Sequence, residues 1–358
     1  MSGASGMPPA VASRPRLVVA GAWAAFAVLL GLFPMVFTNP TVTTIGVFTL
    51  VYMTAAVAWN SFAGYSGYVA LGHAVFFGTG AYTMALVSTH WNFAAGYTMF
   101  ALVPAGGVVA ALMAIPFGLI ALRTRRHTFV VITIAVFFIV QLLAFNLGFT
   151  QGSSGVQIPT PTWGATQYNN SFYYVTLGVL AFALAISAAI RRSRFGLQLL
   201  AIRDDEDRAR GLGVKVQRVK LLSFMVSAVP VGMVGAIYAF FIGQIFPQFA
   251  FDPLFDVTVA LMAFFGGLGT LSGPLLGALV LEPIQQYLTL QYSVGSVYLV
   301  IYGALFLLVI LVMPRGIVPT LAERLAARRE RTQAARLVGE GPGVPPVVDV
   351  GSPVGASR

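Results

Sequence analysis

The chain reads as a succession of apolar runs, several about 20 residues long and free of Lys, Arg, Asp and Glu, separated by short polar or charged stretches. A helix of about 20 apolar residues crosses a hydrocarbon core roughly 30 Å thick, so the pattern predicts an all-α polytopic membrane protein. Spans are predicted near 17–37, 42–62, 68–90, 98–122, 128–149, 172–190, 221–243, 252–267, 271–290 and 295–313, ten in all. Between 252 and 290 the run is interrupted by Gly266, Gly267, Gly269, Gly273, Pro274 and Gly277, and a re-entrant hairpin there gives eight crossings instead. Non-helical backbone at membrane depth is tolerated only where protein or a watery cavity covers it, so a break at this point lies inside the bundle.

Composition excludes a soluble fold. The 358 residues are 58% hydrophobic and 9% charged, with a mean hydropathy of +0.84, against about 25% charged in ordinary soluble domains. Without cysteine there is neither a disulfide framework nor a thiolate metal site, and three histidines are too few for a metal cluster.

Charge supplies the topology. The net charge of +10 first suggests a nucleic-acid partner, but every Lys and Arg lies within 14–16, 123–126, 191–220 or 315–358. That clustering is the positive-inside pattern of cytoplasmic loops. It requires an even number of crossings between neighbouring clusters, which both ten and eight satisfy, and it puts both termini in the cytoplasm. Arg14 and Arg16 precede the first run as in a signal peptide, but no small-residue cleavage site follows, so the run is read as a retained helix. The expected organisation is a cytoplasmic segment 1–16, a membrane domain 17–318 with an uncharged outer loop 150–171 and a charged cytoplasmic segment 191–220, and a mostly disordered cytoplasmic tail 319–358.

Several positions carry candidate chemistry. Gly67, Ala70, Ala74 and Gly78 recur every three or four residues, a spacing that sets them on one face of the third span and lets a neighbouring helix approach closely. His73 lies in the same stretch, where an ionisable group is costly; a neutral hydrogen-bonding role is the plainer reading and a proton relay the sharper one. Asp252 and Asp256 open a span four residues apart and read as N-terminal capping groups at the membrane surface. Glu282, followed by Pro283, sits either at a boundary or along a pathway. Asn60, Ser66 and Tyr82 are candidate lining groups for a pathway sparse in fixed charge. Between Arg194 and Gly213, four adjacent acids (Asp204 to Asp207) lie between basic stretches. Such a helical segment is either a handle for a protein partner or a solvated face.

Here a family resemblance enters. Leu71-Gly-His-Ala-Val-Phe-Phe-Gly78-Thr-Gly80-Ala-Tyr82-Thr resembles the signature of branched-chain amino acid ABC permeases of the LivM type. Arg203, Asp204, Glu206, Ala209, Gly211 and Gly213 resemble that family's cytoplasmic loop, which docks on the ATPase. Gly152-Ser153-Ser-Gly155 with Ile158-Pro159 is similar to its outer loop. The stretch from Phe264 to Gly277, with Gly267, Gly269, Gly273 and Pro274, looks like its Gly-rich segment, and Pro314-Arg315-Gly316 like its closing motif. The motifs occur in order over residues 45–318. One departure stands out: Phe138 and Gln141 occupy positions of the fifth span where many members have Glu and Arg, which puts substrate choice in doubt.

The resemblance implies a permease subunit of a bacterial inner-membrane ABC importer for leucine, isoleucine and valine. It implies a homologous permease as heterodimer partner, two cytoplasmic ATPase subunits and a periplasmic or lipid-anchored solute-binding protein. No cofactor is expected on this chain; ATP and Mg belong to the partners, since the chain has no G-x-x-x-x-G-K-[ST] loop and its lysines, Lys215 and Lys220, follow no Gly-rich turn. The same machinery carrying urea, short amides or other amino acids is the nearest alternative. An ion-coupled secondary transporter, resting on His73 and Glu282, is more distant. A membrane enzyme lacks any nucleophile–base or H-E-x-x-H constellation, so no catalytic residue is assigned.

Overall fold

The structure, a computed structural model, describes residues 14–91, 93–291 and 316–321, together with positions 300, 303, 304 and 307. Most of the span expected at 295–313, Pro314 and Arg315 of the closing motif, most of the segment 1–16 and all of the tail beyond 321 lie outside the described residues.

In chain order the helices are α1 (Arg14–Val36), α2 (Pro40–Ser66), α3 (Ala74–His90), α4 (Val103–Ala121), α5 (Arg126–Asn146) and α6 (Ala165–Arg192), followed by α7 (Arg194–Asp204), α8 (Glu206–Gly211), α9 (Val216–Ile242), α10 (Pro247–Ala250), α11 (Pro253–Gly266) and α12 (Gly273–Gln291). A 3-10 turn, Tyr97–Leu102, leads into α4. Among the described residues six helical stretches are long and apolar enough to cross a membrane: Pro40–Ser66, Tyr97–Ala121, Arg126–Asn146, Ala165–Arg192, Val216–Ile242 and Pro247–Gly266. The chain is thus a helical polytopic membrane protein.

Helix α2 is the hub, packed against α6, α9, α11 and α12. It opens on an Asn39 side chain that accepts from Thr41 N at 3.0 Å, with Pro40 in the first turn, where its missing N–H costs nothing. Helices α3, α4 and α9 form a second layer held together by glycines. A Cβ on Gly80 would collide with the Gly232 carbonyl, and one on Gly106 would lie 2.9 Å from Ala236 Cβ. With apolar lipid outside, such close backbone approach is what holds membrane helices together. Helix α6 is pinned to α2 by Asn169 Nδ2, which donates to Pro40 O and Thr43 Oγ1, and to α9 by Tyr168 OH, which donates to Phe241 O at 2.8 Å.

The structure departs from the expectations in several places, four of them in the course of the backbone around the charged segment, the third span and the 150–171 loop. The third span does not begin at 68. Gly67 ends α2 in the left-handed conformation (φ 73°), residues 67–73 are non-helical, and α3 starts only at Ala74. Gly67 and Ala70 therefore lie in a break and share no helical face with Ala74 and Gly78. Second, the charged stretch from Arg194 to Gly213 is not one helix but two, α7 and α8, parted at Asp205, whose side chain accepts from Asp207 N and Arg208 N and starts α8. Third, α9 begins at Val216, so Lys220 lies inside a helix and not at the end of a loop. Fourth, the fold is not purely helical. Val156–Gln157 (β1) pairs antiparallel with Gln244–Ile245 (β2), which clips the uncharged loop before α6 to the end of α9.

Candidate functional site

The break at 67–73 carries backbone groups that no helix can satisfy, and side chains from around it do so instead. Trp59 Nε1 donates to Ala70 O at 2.8 Å, Leu71 N donates to Thr133 Oγ1 at 3.2 Å, and Tyr68 N donates to Ser66 Oγ at 3.2 Å. Asp256 Oδ1 accepts from Ala74 N at 3.0 Å. This corrects the surface reading of Asp256. Asp252 does cap its own helix, through Leu254 N at 2.9 Å, but Asp256 is buried and caps α3 instead. His73 is buried beside Phe62, Phe76 and Phe224, with Nε2 3.1 Å from Ser227 Oγ.

A second turn meets the break. Asn60 Nδ2 donates to Thr270 O at 2.9 Å, and Asn60 Oδ1 accepts from Gly269 N at 2.8 Å, so α2 holds the Gly-rich turn 267–272 by both ends of one amide. Gly269 has φ 79°, a conformation that a side chain would strain, and a Cβ there would approach Arg203 Nη1. Beyond the turn, Gly277 packs on the Met262 carbonyl, and Gly273 and Pro274 open α12 against α11.

The charged arm α7–α8 closes on this junction. Arg203 Nη1 donates to Gly64 O at 2.8 Å, and its stem packs on Gly67. Arg126 Nη2 donates to Ile202 O at 3.1 Å and to Arg203 O, holding the end of α7. Glu206 is the centre of an ionic cluster. It accepts from the Tyr68 hydroxyl, from Lys220 Nζ at 3.2 Å and from Arg210 Nη2 at 3.1 Å. Lys220, 1% exposed, also lies 4.3 Å from the centre of the Tyr68 ring. Burial works to raise the Glu206 carboxyl; the Tyr68 hydroxyl and the Lys220 ammonium outweigh it and hold the group below the ordinary glutamate value.

Of the residues singled out in the sequence, Asn60, Ser66, Gly67, Gly269, Arg203 and Glu206 come together at this junction. Ala209 is buried in the arm, whereas Asp204, Gly211 and Gly213 are exposed on it. Gly78 and Tyr82 lie apart, packed on Phe251, and Tyr82 lines a 300 Å³ cavity with Thr79 and Met113. Gly80 is a packing position. Gly152, Ser153 and Gly155 lead into β1, and Gly155 packs on Phe246. Gln141 Nε2 donates to Phe251 O, while Phe138 faces outward. Glu282 is wholly buried, with Gln286 Nε2 donating to it at 2.8 Å, so it is no boundary group. Sequence reasoning missed Tyr68, Arg126 and Lys220. The signal for Lys220 was a cation directly preceding an apolar run; Tyr68 carried none. Among the described residues no cluster of three or more His, Asp or Glu could hold a metal.

Comparison with known proteins gives a consistent result. Residues 41–310 match the family model described as branched-chain amino acid transport system / permease component. The chain is 26% identical to the high-affinity branched-chain amino acid transport system permease protein LivM of Escherichia coli K12, over 77% of this chain and 69% of that protein. It is 27% identical to LivH of the same organism, over 74% of this chain and 90% of the relative. A shorter stretch, 31% of this chain and 34% of the relative, is 32% identical to the autoinducer 2 import system permease protein LsrC of Klebsiella pneumoniae. No solved structure matches.

Proposed function

Because the chain belongs to the branched-chain amino acid transport system permease family, we propose that it is one of two homologous membrane subunits of an ATP-driven importer for leucine, isoleucine and valine in the bacterial inner membrane. The second permease is of the LivH kind, two ATPase subunits supply the energy with ATP and Mg, and a solute-binding protein delivers the amino acid. This chain is a transport component and hydrolyses nothing itself.

The observation that carries this reading is the grip of Arg203 on Gly64 and the Gly269 turn. Force applied to α7–α8 reaches the end of α2 and the α11–α12 turn through one side chain. The arm also presents Leu212, 83% exposed, and Leu197, 64% exposed. Apolar groups so exposed on a charged arm suit a protein partner. The Gly-rich turn lies beside Arg203, at the arginine-bearing end of the bundle. That position supports two full crossings by α11 and α12, and so the count of ten, over a re-entrant hairpin entering from the other side.

The test uses the assembled importer in proteoliposomes. Arg203→Ala and Glu206→Ala should lower ATP hydrolysis stimulated by the loaded binding protein while leaving the assembly intact. Unchanged stimulation in both variants would remove the arm from the mechanism. A binding protein that prefers a solute other than leucine, isoleucine or valine would overturn the substrate assignment alone.

A further inference from the structure

Helices α4 and α9 run antiparallel and touch where Gly118 meets Leu221; beside that contact lies a 270 Å³ groove walled by Leu119, Leu122 and Leu221. Arg123, just beyond α4, and Arg218, in the first turn of α9, stand at its mouth, and no acidic residue lines it. Both arginines are exposed, and neither guanidinium makes a hydrogen bond or ion pair with any described residue. Arg123 and Gln217 also line the neighbouring 520 Å³ cavity, which holds Asp204, Asp205, Glu206 and Asp207; Arg218 does not. The groove opens onto apolar surface that continues along both helices at Leu119, Ile120 and Leu222, each about half exposed.

We propose that this groove binds one anionic glycerophospholipid, its acyl chain between α4 and α9 and its phosphate on Arg123 and Arg218. The charge fits: neither guanidinium is in an ion pair with a described residue, both stand at the end of apolar helices, where headgroups are expected, and a guanidinium binds phosphate oxygens in pairs. The shape fits as well: Leu119, Leu122 and Leu221 offer a hydrocarbon chain an apolar wall, and Gln217 is the one uncharged polar side chain in the lining. The inference depends on the membrane location of the chain and not on the amino acid it carries.

The experiment is native mass spectrometry of the full chain co-purified with its partner subunits, titrated with phosphatidylglycerol and, separately, with phosphatidylethanolamine. The wild-type assembly should retain phosphatidylglycerol preferentially. The double variant Arg123→Gln/Arg218→Gln should bind it about tenfold more weakly, since both cationic contacts to the phosphate are lost. Arg123→Lys/Arg218→Lys should stay close to wild type, which separates loss of charge from loss of fold. Leu119→Trp, which fills the groove and keeps both arginines, should also lose the lipid. Equal binding of the two lipids, retention by Leu119→Trp, or loss by the Lys pair would overturn the proposal. So would loss of the ATPase subunits from the Gln variant with phospholipid occupancy unchanged, which would assign the arginines to a protein interface.

Discussion

Asp256 accepts a hydrogen bond from Ala74 N at 3.0 Å across 182 residues of sequence, so the first turn of α3 is capped by a carboxylate belonging to α11. The chain can leave α2 at Gly67, run seven residues without helix and enter α3 because this acceptor waits at the far side. Asp256→Ala should destabilise the purified assembly by about 2 kcal/mol, the cost of a lost cap together with an orphaned buried N–H. Asp256→Asn, which keeps an acceptor in place, should cost less than half of that. Thermal unfolding of the two variants measures the difference, and equal losses would remove the cap from the account.

The ionic cluster should respond asymmetrically. Lys220 is nearly fully buried, and Glu206 is its only acidic partner among the described residues. Glu206 has Tyr68 and Arg210 besides. Glu206→Gln therefore leaves a buried ammonium without a counter-charge and should cost about 3 kcal/mol. Lys220→Met should cost about half as much, and the double variant less than the sum of the two. A double-mutant cycle on unfolding free energies checks this, and additive losses would contradict it.

Acid should loosen the arm. The Glu206 carboxyl is held below its ordinary value of 4.5 in the folded protein. A depressed carboxyl contributes stability that is fully present above the unfolded value and is lost as pH falls through the folded one. The melting temperature should accordingly be insensitive to this group at neutral pH and fall with acidification below 4.5. In Glu206→Gln that part of the slope should be missing, which melting curves taken across this range would reveal.

Two glycines of the sequence motifs should behave in opposite ways. A Cβ on Gly80 meets the Gly232 carbonyl, a backbone atom that cannot swing aside, whereas a Cβ on Gly211 meets nothing within 4 Å. Gly80→Ala should lower stability by about 1 to 3 kcal/mol through overpacking. Gly211→Ala should leave it unchanged within about 0.5 kcal/mol, as for a surface substitution. Yield and melting temperature of the assembly distinguish them.

The apolar blocks were enough to locate most of the helices, because hydrophobic length is a local property of the chain. What they could not locate depends on partners far away in sequence. Nothing local to 67–73 distinguishes a break from a helix. Its small residues are compatible with close packing, and only the groups that reach it from Trp59, Thr133 and Asp256 make the extended form stable. Helix α6 begins at Ala165, seven residues before the expected start, because its first turns are polar and hydropathy passes over Asn169, whose amide is used by Pro40 and Thr43. Within the candidate site, Arg203 and Glu206 were legible as part of a motif. Tyr68 and Lys220 were not, since each takes its meaning from Glu206.

The small β1–β2 ribbon gives α9 a second duty. At one end of this 27-residue rod, about 40 Å long at 1.5 Å per residue, Lys220 is moored to Glu206 and Tyr68. At the other, Gln244 and Ile245 are stitched to Gln157 and Val156. Fastened at both tips, α9 joins the charged arm to the uncharged loop, so a displacement of the arm has a continuous element along which to reach that loop.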